Sequence, residues 1–202
     1  MTQDPGASAH RRPIDGRRQR TVNSRARIIA AMLELTQEGQ ISVSAELVAE
    51  RANVGLRTVF RHFKDMDSLY REMSLTVEAR LMRVVSSNFV ATGWRDQLVE
   101  LIHRRAGLFE MITPFKRAEA AHRHRSKWLA DDNDRLNAFL RAVLRRVLPT
   151  SVRDDAILLE ALDLVLSFES WDRLRREQRL SAQSAREVLE GTVAKLIIGA
   201  TE

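Results

Sequence analysis

Apolar residues recur every three or four positions along most of this chain, which is the spacing of one face of an α-helix. Glycine and proline number only 8 and 4 among 202 residues, whereas the helix-favouring Ala, Leu, Arg and Glu are abundant. The pattern predicts an all-α protein with helices over 25–38, 45–52, 56–63, 65–89, 94–111 and 114–122, then a longer helix ending near Val147, one over 154–174, and a last one from Ser181 to just before Gly199.

Residues 44–63, SAELVAERANVGLRTVFRHF, are predicted to form two short helices around a tight turn. Ser44 stands where an N-cap belongs, since its hydroxyl is able to accept an N–H of the first turn. Asn53 tolerates the left-handed backbone that a sharp turn needs. The second helix has Val59 and Phe63 four residues apart on its inner face and polar, cationic residues on the outer one. This arrangement favours a DNA-binding helix-turn-helix.

Positive charge is concentrated at the N-terminal end of the chain. Residues 1–64 contain eleven Lys and Arg against six Asp and Glu, whereas residues 65–202 contain 22 against 21. Most of the net charge of +6 therefore accompanies the helix-turn-helix and the segment before it. Such an asymmetry is typical of a surface that meets nucleic-acid phosphates, and a solvated basic tail is the alternative.

Residues 1–24 contain two prolines and two glycines and almost no apolar residues, so we predict a disordered arm. Its basic side chains are Arg11, Arg12, Arg17, Arg18 and Arg20. Such an arm either follows the DNA backbone and enters a minor groove, or is a flexible leader that raises solubility. The sequence favours these two interpretations equally.

Several classes of protein are excluded or disfavoured by composition. The chain has no cysteine, which excludes disulfides, thiol catalysis and cysteine-ligated zinc. The N-terminus lacks the apolar core of a signal peptide, and no apolar stretch approaches the ~18 residues of a membrane-spanning helix. We therefore expect a cytoplasmic protein.

Two clusters raise the question of a metal site. His103, His122 and His124 are metal-ligand types, but Arg123 and Arg125 would repel a cation. The acidic run at residues 131–134, Asp-Asp-Asn-Asp, lacks the spacing and the glycine of a calcium loop, and we interpret it as helix capping and charge on a solvated face. We expect no metal and no cofactor. Because no phosphate loop, nucleophile elbow or catalytic acid pair occurs, we also expect no enzymatic activity.

One string within the helix-turn-helix is more specific than the motif itself. Residues 53–64 read NVGLRTVFRHFK, with a Thr-x-Phe-x-His-Phe ending on the second helix. The pattern also includes the pairs Glu38-Gly39 and Val48-Ala49. In these features residues 25–69 resemble the DNA-binding head of TetR-family (tetracycline-repressor-type) bacterial transcriptional regulators. The remainder resembles the family only in the number and size of its helices.

The resemblance implies an all-α homodimer with a three-helix head and a larger helical body. On this basis we divide the chain into an arm over 1–24, a helix-turn-helix domain over 25–70 and a ligand-binding and dimerisation domain over 71–202. The last two long helices would pair with those of a second copy, although an ordinary intramolecular core explains their apolar pattern equally well. The body would also hold a small-molecule pocket coupled to the spacing of the heads.

The resemblance assigns DNA contacts to eight residues of the head: phosphate contacts to Ser44, Thr58, His62 and Lys64, base edges to Gly55, Leu56 and Arg57, and an apolar contact to Phe60. The fork of the Arg57 guanidinium suits a guanine. Phe60 stands where the family often has Tyr, so a phenol–phosphate hydrogen bond is absent. Gly55 stands where Ser is frequent, so one further phosphate or base contact is absent.

Six residues of the body are candidates for an apolar ligand pocket because aromatic, Met and His side chains commonly line such sites. They are His103, Phe109, Met111, Phe115, Trp128 and Trp171. For each residue taken singly, ordinary core packing is the favoured interpretation.

These features together predict a homodimeric transcription factor, a repressor, that binds a roughly palindromic operator and leaves it when a small molecule binds the body. The alternative is a helical architectural or interaction protein that binds DNA with little sequence specificity. Competition with random duplex DNA separates the two. A helical enzyme is the third hypothesis.

Overall fold

The computed structural model describes residues 16–85, 87–123 and 126–200. Within these ranges no residue lies in a strand, so the predicted all-α fold is confirmed, and no helix combines the length and apolar character needed to cross a membrane. The helices are α1 (Gly16–Gln37), α2 (Ala45–Arg51), α3 (Leu56–His62), α4 (Met66–Val85), α5 (Trp94–Arg123), α6 (Lys127–Val147), α7 (Thr150–Arg153), α8 (Ala156–Val165), α9 (Phe168–Asp172), a π-helical segment (Arg173–Glu177) and α10 (Ala182–Leu196).

The first three helices pack against one another and form the head. Their shared core consists of buried apolar side chains: Ile28, Met32, Val48, Val59 and Phe63. α2 and α3 have 7 residues each, too few for a helix that is stable in isolation. Packing against α1 therefore holds both in place.

α4 belongs both to the head and to the body. In its first half, Tyr70 Oη accepts a hydrogen bond from the Val43 N–H at 3.3 Å, and Met73 Sδ lies 3.4 Å from Thr36 Oγ1. Its other contacts are with α5 and α6. The predicted boundary between residues 70 and 71 thus falls within a single helix that touches both parts.

α5 is the central helix of the body and packs against α1, α4, α6, α9 and α10. Ile102 and Phe109 on this helix are buried, and the Phe109 ring meets Phe168 edge-on with 5.7 Å between the ring centroids. One apolar cluster extends from Ile28 in α1 to Ile197 at the end of α10. Head and body are therefore joined by buried contacts.

The helix break predicted at Thr113-Pro114 is wrong, because α5 continues through both residues. A proline inside a helix removes one backbone hydrogen bond and costs about 3 kcal/mol. Nearby, Thr113 Oγ1 donates to the Phe109 carbonyl at 2.6 Å. Ile112 and Phe115 are both buried, and burying such side chains contributes about 1.5–3 kcal/mol each. Packing on both sides of the proline thus offsets its local cost.

The single helix predicted over 154–174 is divided at Leu166-Ser167 into α8 and α9. Ser167 Oγ accepts the Ser170 N–H at 3.1 Å and caps α9. From α5, Arg105 Nη1 donates to the Leu166 carbonyl at 2.7 Å. In these two bonds, side chains bind backbone groups that would otherwise bond within a continuous helix, which explains the break.

α1 begins at Gly16 rather than at Arg25, so residues 16–24, predicted as part of a disordered arm, are helical. Their Arg and Gln residues favour helix, and extending a helix costs less than starting one. The side chains of residues 16–20 and the whole of residues 1–15, with Arg11 and Arg12, lie outside what the structure describes.

α4 ends at Val85 rather than at Phe89. Arg104 of α5 donates to the carbonyls of Ser87 at 2.7 Å and Asn88 at 2.6 Å. These carbonyls therefore bind a side chain instead of continuing the helical ladder.

Four of the predicted helix starts are confirmed by their caps. At each of these starts, a side-chain oxygen accepts the backbone N–H of the residue three positions later. The capping residues are Ser44 (3.3 Å), Asp65 (2.8 Å), Asp155 (3.0 Å) and Ser181 (3.0 Å). Gly39 follows α1 with φ +92°, a conformation that glycine adopts without strain.

Candidate nucleic-acid interface

The turn between α2 and α3 is held by one arginine of α1. Asn53 has φ +50°, which confirms the predicted left-handed residue. Arg27 Nη2 donates to the carbonyl of Ala52 and, at 2.5 Å, to that of Asn53. Gly55 has φ −71°, and an added Cβ would meet no atom within 4 Å. The turn therefore requires the tolerance of Asn53 and places no steric demand on Gly55.

The outer face of α3 combines cationic and apolar side chains. Leu56, Arg57, Phe60 and Arg61 are exposed, whereas Val59 is buried against the head. Arg57 and Arg61 are four residues apart and so lie on one side of the helix. Arg61 was not among the predicted contacts, although this spacing from Arg57 is the signal that identifies it.

Ion pairing separates the cations of the head into two groups. Arg25 pairs with Glu72 at 2.8 Å, and the Nη1 and Nη2 atoms of Arg51 each donate to Glu38 at 2.8 Å. In contrast, Arg57, Arg61 and Lys64 make no ion pair within the described part of the chain. These three exposed cations sit on or just after α3. Their charge is therefore available for phosphates or base edges.

Both helix starts carry groups suited to phosphate. Ser44 Oγ accepts the Leu47 N–H at 3.3 Å, and its side chain also hydrogen-bonds with that of Glu46. Gly55 caps α3 without any side chain, and the first N–H groups of a helix have no partner inside it. Thr58, half-buried in this first turn, lies beside those N–H groups. Helix starts of this kind favour anions.

His62 differs from the exposed cations around it. Its ring is half-buried, and its Nε2 is buried without a hydrogen-bond partner in the described structure. Burial lowers the pKa of His62 below its usual value, and the positive charges of Arg61 and Arg25 lower this pKa further. Without DNA, these surroundings favour the neutral form of the ring, which carries a single N–H.

The head matches one family. The model of the bacterial regulatory proteins of the tetR family matches residues 28–73, which include α2, α3 and the first part of α4. Residues 28–73 carry a DNA-binding domain of the tetR family. The chain is therefore a DNA-binding regulator, with α3 as the helix that carries the exposed cations.

Solved structures share the fold over most of the chain. A transcriptional regulator from Rhodococcus sp. Rha1 has 19% sequence identity and a TM-score of 0.71, with 87% of this chain and 97% of that one covered. A TetR transcriptional regulator from Rhodococcus sp. RHA1 has 19% identity and a TM-score of 0.57 (91% and 100% covered). The multidrug binding protein EbrR complexed with ethidium has 21% identity and a TM-score of 0.63 (86% and 98%). No curated protein matches the sequence significantly.

Gly55→Ser should stabilise this TetR-family head by a few tenths of a kcal/mol, because a serine hydroxyl at the N-cap accepts an N–H of the first turn of α3. Chemical unfolding of the two proteins measures the difference. Gly55→Ala is the matched control, since it adds a side chain without an acceptor. The expected order of stability is Ser, then Gly, then Ala; an alanine variant as stable as the serine variant would contradict the capping argument.

The structure does not bring the six predicted pocket residues together. Phe109 and Trp171 are buried in the core, and Trp171 Nε1 donates to Glu110 at 2.9 Å. Three others are exposed, namely His103, Met111 and Trp128. His103 pairs with Glu190, and the Trp128 ring packs under the Arg71 guanidinium. Phe115 lines a cavity between α4, α5 and α6. The six residues therefore do not line one common cavity among those described, and their role in binding a ligand stays a prediction.

The cavity between α4, α5 and α6 has a volume of about 40 Å³. Its lining includes polar residues that the sequence analysis did not select: Ser74, Glu78, Lys116, Glu119 and Asp132. The run at 131–134 is thus not wholly a solvated face, since Asn133 is also buried. Among the described side chains no cluster could hold a metal ion; those of His122 and His124 lie outside that description.

Proposed function

We propose that this regulator is a homodimeric repressor that binds a two-fold symmetric operator through α3 and leaves it when a small molecule binds the body. The observation that carries the proposal is the double role of α4. Tyr70 in its first half supports the head through Val43, and Ser74, Val77 and Leu81 further along line the cavity. A change at the cavity therefore has a direct route to the head.

On DNA, α3 would lie in the major groove with Arg57 and Leu56 at base edges and Phe60 against apolar base surface. Ser44, Thr58, His62 and Lys64 would bind phosphates on either side. Gly55 would let the backbone come close to the DNA, since it presents no side chain. Arg61 joins the contacts because it is exposed, has no ion pair in the described chain and shares a face with Arg57. The phosphate contacts do not depend on the base sequence, and they make the affinity for DNA depend on the salt concentration.

A second copy would cover an apolar face built by α8 and α10. Ile157 and Leu164 on α8 are seven residues apart on one side of the helix and are 85% and 69% exposed. Ile198, after α10, is also exposed and lines a groove together with Ile157 and Leu196. Exposed apolar surface of this extent typically marks an interface. A two-fold axis through this face presents two α3 helices at a fixed spacing.

Release by a ligand requires that the ligand prefer a body conformation in which the heads are wrongly spaced. The cavity is small and open on one side, so a ligand larger than a few atoms either extends out of its mouth or presses on its walls, of which α4 is one. Fold similarity to EbrR, whose structure contains ethidium, supports a body that holds small molecules. The physical link to DNA is the same helix that positions Tyr70 against Val43.

Selection of bound fragments from random duplex DNA by the purified full-length protein tests this function. We expect the recovered sequences to share two half-sites related by two-fold symmetry, centred about one helical turn or a multiple of it apart. Recovery of unrelated sequences would favour the architectural alternative. Recovery of a single unrepeated half-site would contradict the homodimer.

A further inference from the structure

We propose that the cavity between α4, α5 and α6 takes an organic ammonium ion, that is, a protonated amine with a small apolar body. This proposal rests on the ligand-released function proposed above, since it names the chemistry of that ligand. It is carried by a buried carboxylate oxygen that has no donor, by the balance of charge around the cavity, and by the apolar remainder of the wall.

Most polar groups at the cavity already have partners. Ser74 Oγ donates to Glu119 Oε1 at 2.5 Å, which connects α4 to α5. Lys116 Nζ donates to Asn133 Oδ1 at 2.5 Å and lies 3.7 Å from Glu119 Oε2, which connects α5 to α6. All four residues are buried. Glu119 thus has a hydrogen-bond donor and a cation of its own.

Asp132 is the exception. Its side chain is only 9% exposed and lines the cavity. Oδ1 is bound by Arg135, but Oδ2 is buried and has no hydrogen-bond partner in the structure as described. An unpaired buried carboxylate oxygen is costly, so a donor that entered the cavity would gain a charge-assisted hydrogen bond without displacing a protein partner. An ammonium N–H is such a donor.

Among the side chains that the structure describes, those around the cavity carry more negative than positive charge. Three carboxylates line it, those of Glu78, Glu119 and Asp132, against the single ammonium group of Lys116. Arg135, half-exposed at the rim, binds Asp132 and lies 4.0 Å from Glu78 Oε2. With Arg135 included, the set carries three negative and two positive charges. This described set therefore favours a monocation over an anion, which would add to its excess of negative charge.

The rest of the wall is apolar and limits the size of the ligand. Val77, Leu81, Ile112, Phe115 and Leu136 complete the lining. The volume of about 40 Å³ is well below the ~150 Å³ of a cavity that holds benzene. A primary ammonium on a short hydrocarbon chain suits both the polar and the apolar parts. A bulkier body that stays inside would press on α4 or its neighbours, which is the movement that release requires, whereas a long thin chain can leave through the open side of the cavity.

Calorimetric titration of the full-length protein without DNA tests the ligand class, with n-butylammonium, butan-1-ol and tetramethylammonium as probes. The alcohol has a similar shape without the charge, and tetramethylammonium has the charge without an N–H donor. We expect n-butylammonium to bind at least about tenfold more tightly than either, because a charge-assisted hydrogen bond to a buried group distinguishes them. Equal binding of the alcohol, or no binding of n-butylammonium at tens of millimolar, would overturn the proposal.

Asp132→Asn should weaken n-butylammonium binding about tenfold or more, since it removes the negative charge at the unpaired oxygen. Asp134→Asn is the matched control, because Asp134 lies on the exposed side of the same acidic run. Should Asp132→Asn fail to fold, Glu78→Gln at the rim removes a carboxylate without touching the buried hydrogen bonds and should weaken binding several-fold. Unchanged affinity in the folded variant would sink the assignment. Because no DNA is present, this result is independent of whether the selection experiment recovers an operator.

Discussion

Ile157→Glu should convert the regulator to a monomer and weaken binding to a duplex with two half-sites by about 10²–10⁴-fold. The two heads of a dimer are linked, which raises the affinity for a duplex with two half-sites by a factor of that order. A monomer loses this increase in affinity. Ile157 is 85% exposed, so the variant loses little packing within one copy. It also lies in the first turn of α8, where a carboxylate interacts favourably with the helix dipole. Loss of DNA binding would therefore reflect loss of the dimer rather than unfolding.

Analytical ultracentrifugation gives the oligomeric state of this variant, and fluorescence anisotropy gives its DNA affinity. Val90→Glu provides the control, because Val90 is an equally exposed apolar residue, 88% exposed, in the segment before α5. The control should stay dimeric and bind DNA normally. A dimeric Ile157→Glu variant, or an equal loss in both variants, would contradict the proposed interface.

Arg57→Ala should cost about 1–3 kcal/mol of operator binding, roughly 5- to 150-fold, and relax the preference at one base pair of each half-site. Arg57 is exposed and has no ion pair within the described residues, so its removal leaves the fold of the head intact. Its guanidinium is thus available to the DNA. Comparison of binding to a panel of single-base operator variants measures both effects.

Arg51→Ala is the control for Arg57→Ala, because Arg51 is engaged by Glu38 rather than open to DNA. It should leave the base preference unchanged. Lys64→Ala provides a second comparison. Because a phosphate is present whatever the base sequence, removing this ammonium group should lower the affinity for every duplex alike and reduce the salt slope by about 1. If Arg57→Ala lowered affinity equally for every base variant, its role would be to bind phosphate and not to read a base.

The head follows from the sequence because its signals are local. The predicted bounds of α2 and α3 differ from the structure by one residue at their C-terminal ends. Ser44 caps α2, and Asn53 takes the left-handed conformation of the turn. A cap and a turn depend on residues three or four positions apart, which a sequence displays directly.

The body departs from prediction where distant contacts outweigh local preference. Pro114 would end an isolated helix, yet Ile112 and Phe115 are buried on either side of it. Leu166 would continue a helix, yet Arg105 from α5 binds its carbonyl. Both outcomes depend on neighbours many residues away, for which the sequence pattern has no direct signal.

The cavity residues did leave a signal of another kind. Glu119 follows Phe115 by four positions, and Asn133 follows Leu129 by four, so each polar residue stands at a position that helical spacing assigns to the buried face. Both are buried in the structure. In this chain these two polar residues on an apolar stripe mark a buried polar site, whereas the aromatic Trp128 is exposed.

The central claim is that α3 reads sequence, and the most direct test is the ratio of two affinities at one salt concentration. The full-length protein is titrated with the duplex recovered by selection and with a shuffled duplex of the same composition. Specific regulators prefer their site by about 10³-fold or more, and we predict a ratio in that range. A ratio near one, with binding that depends only on salt, would contradict the account and identify the head as a sequence-independent DNA-binding element.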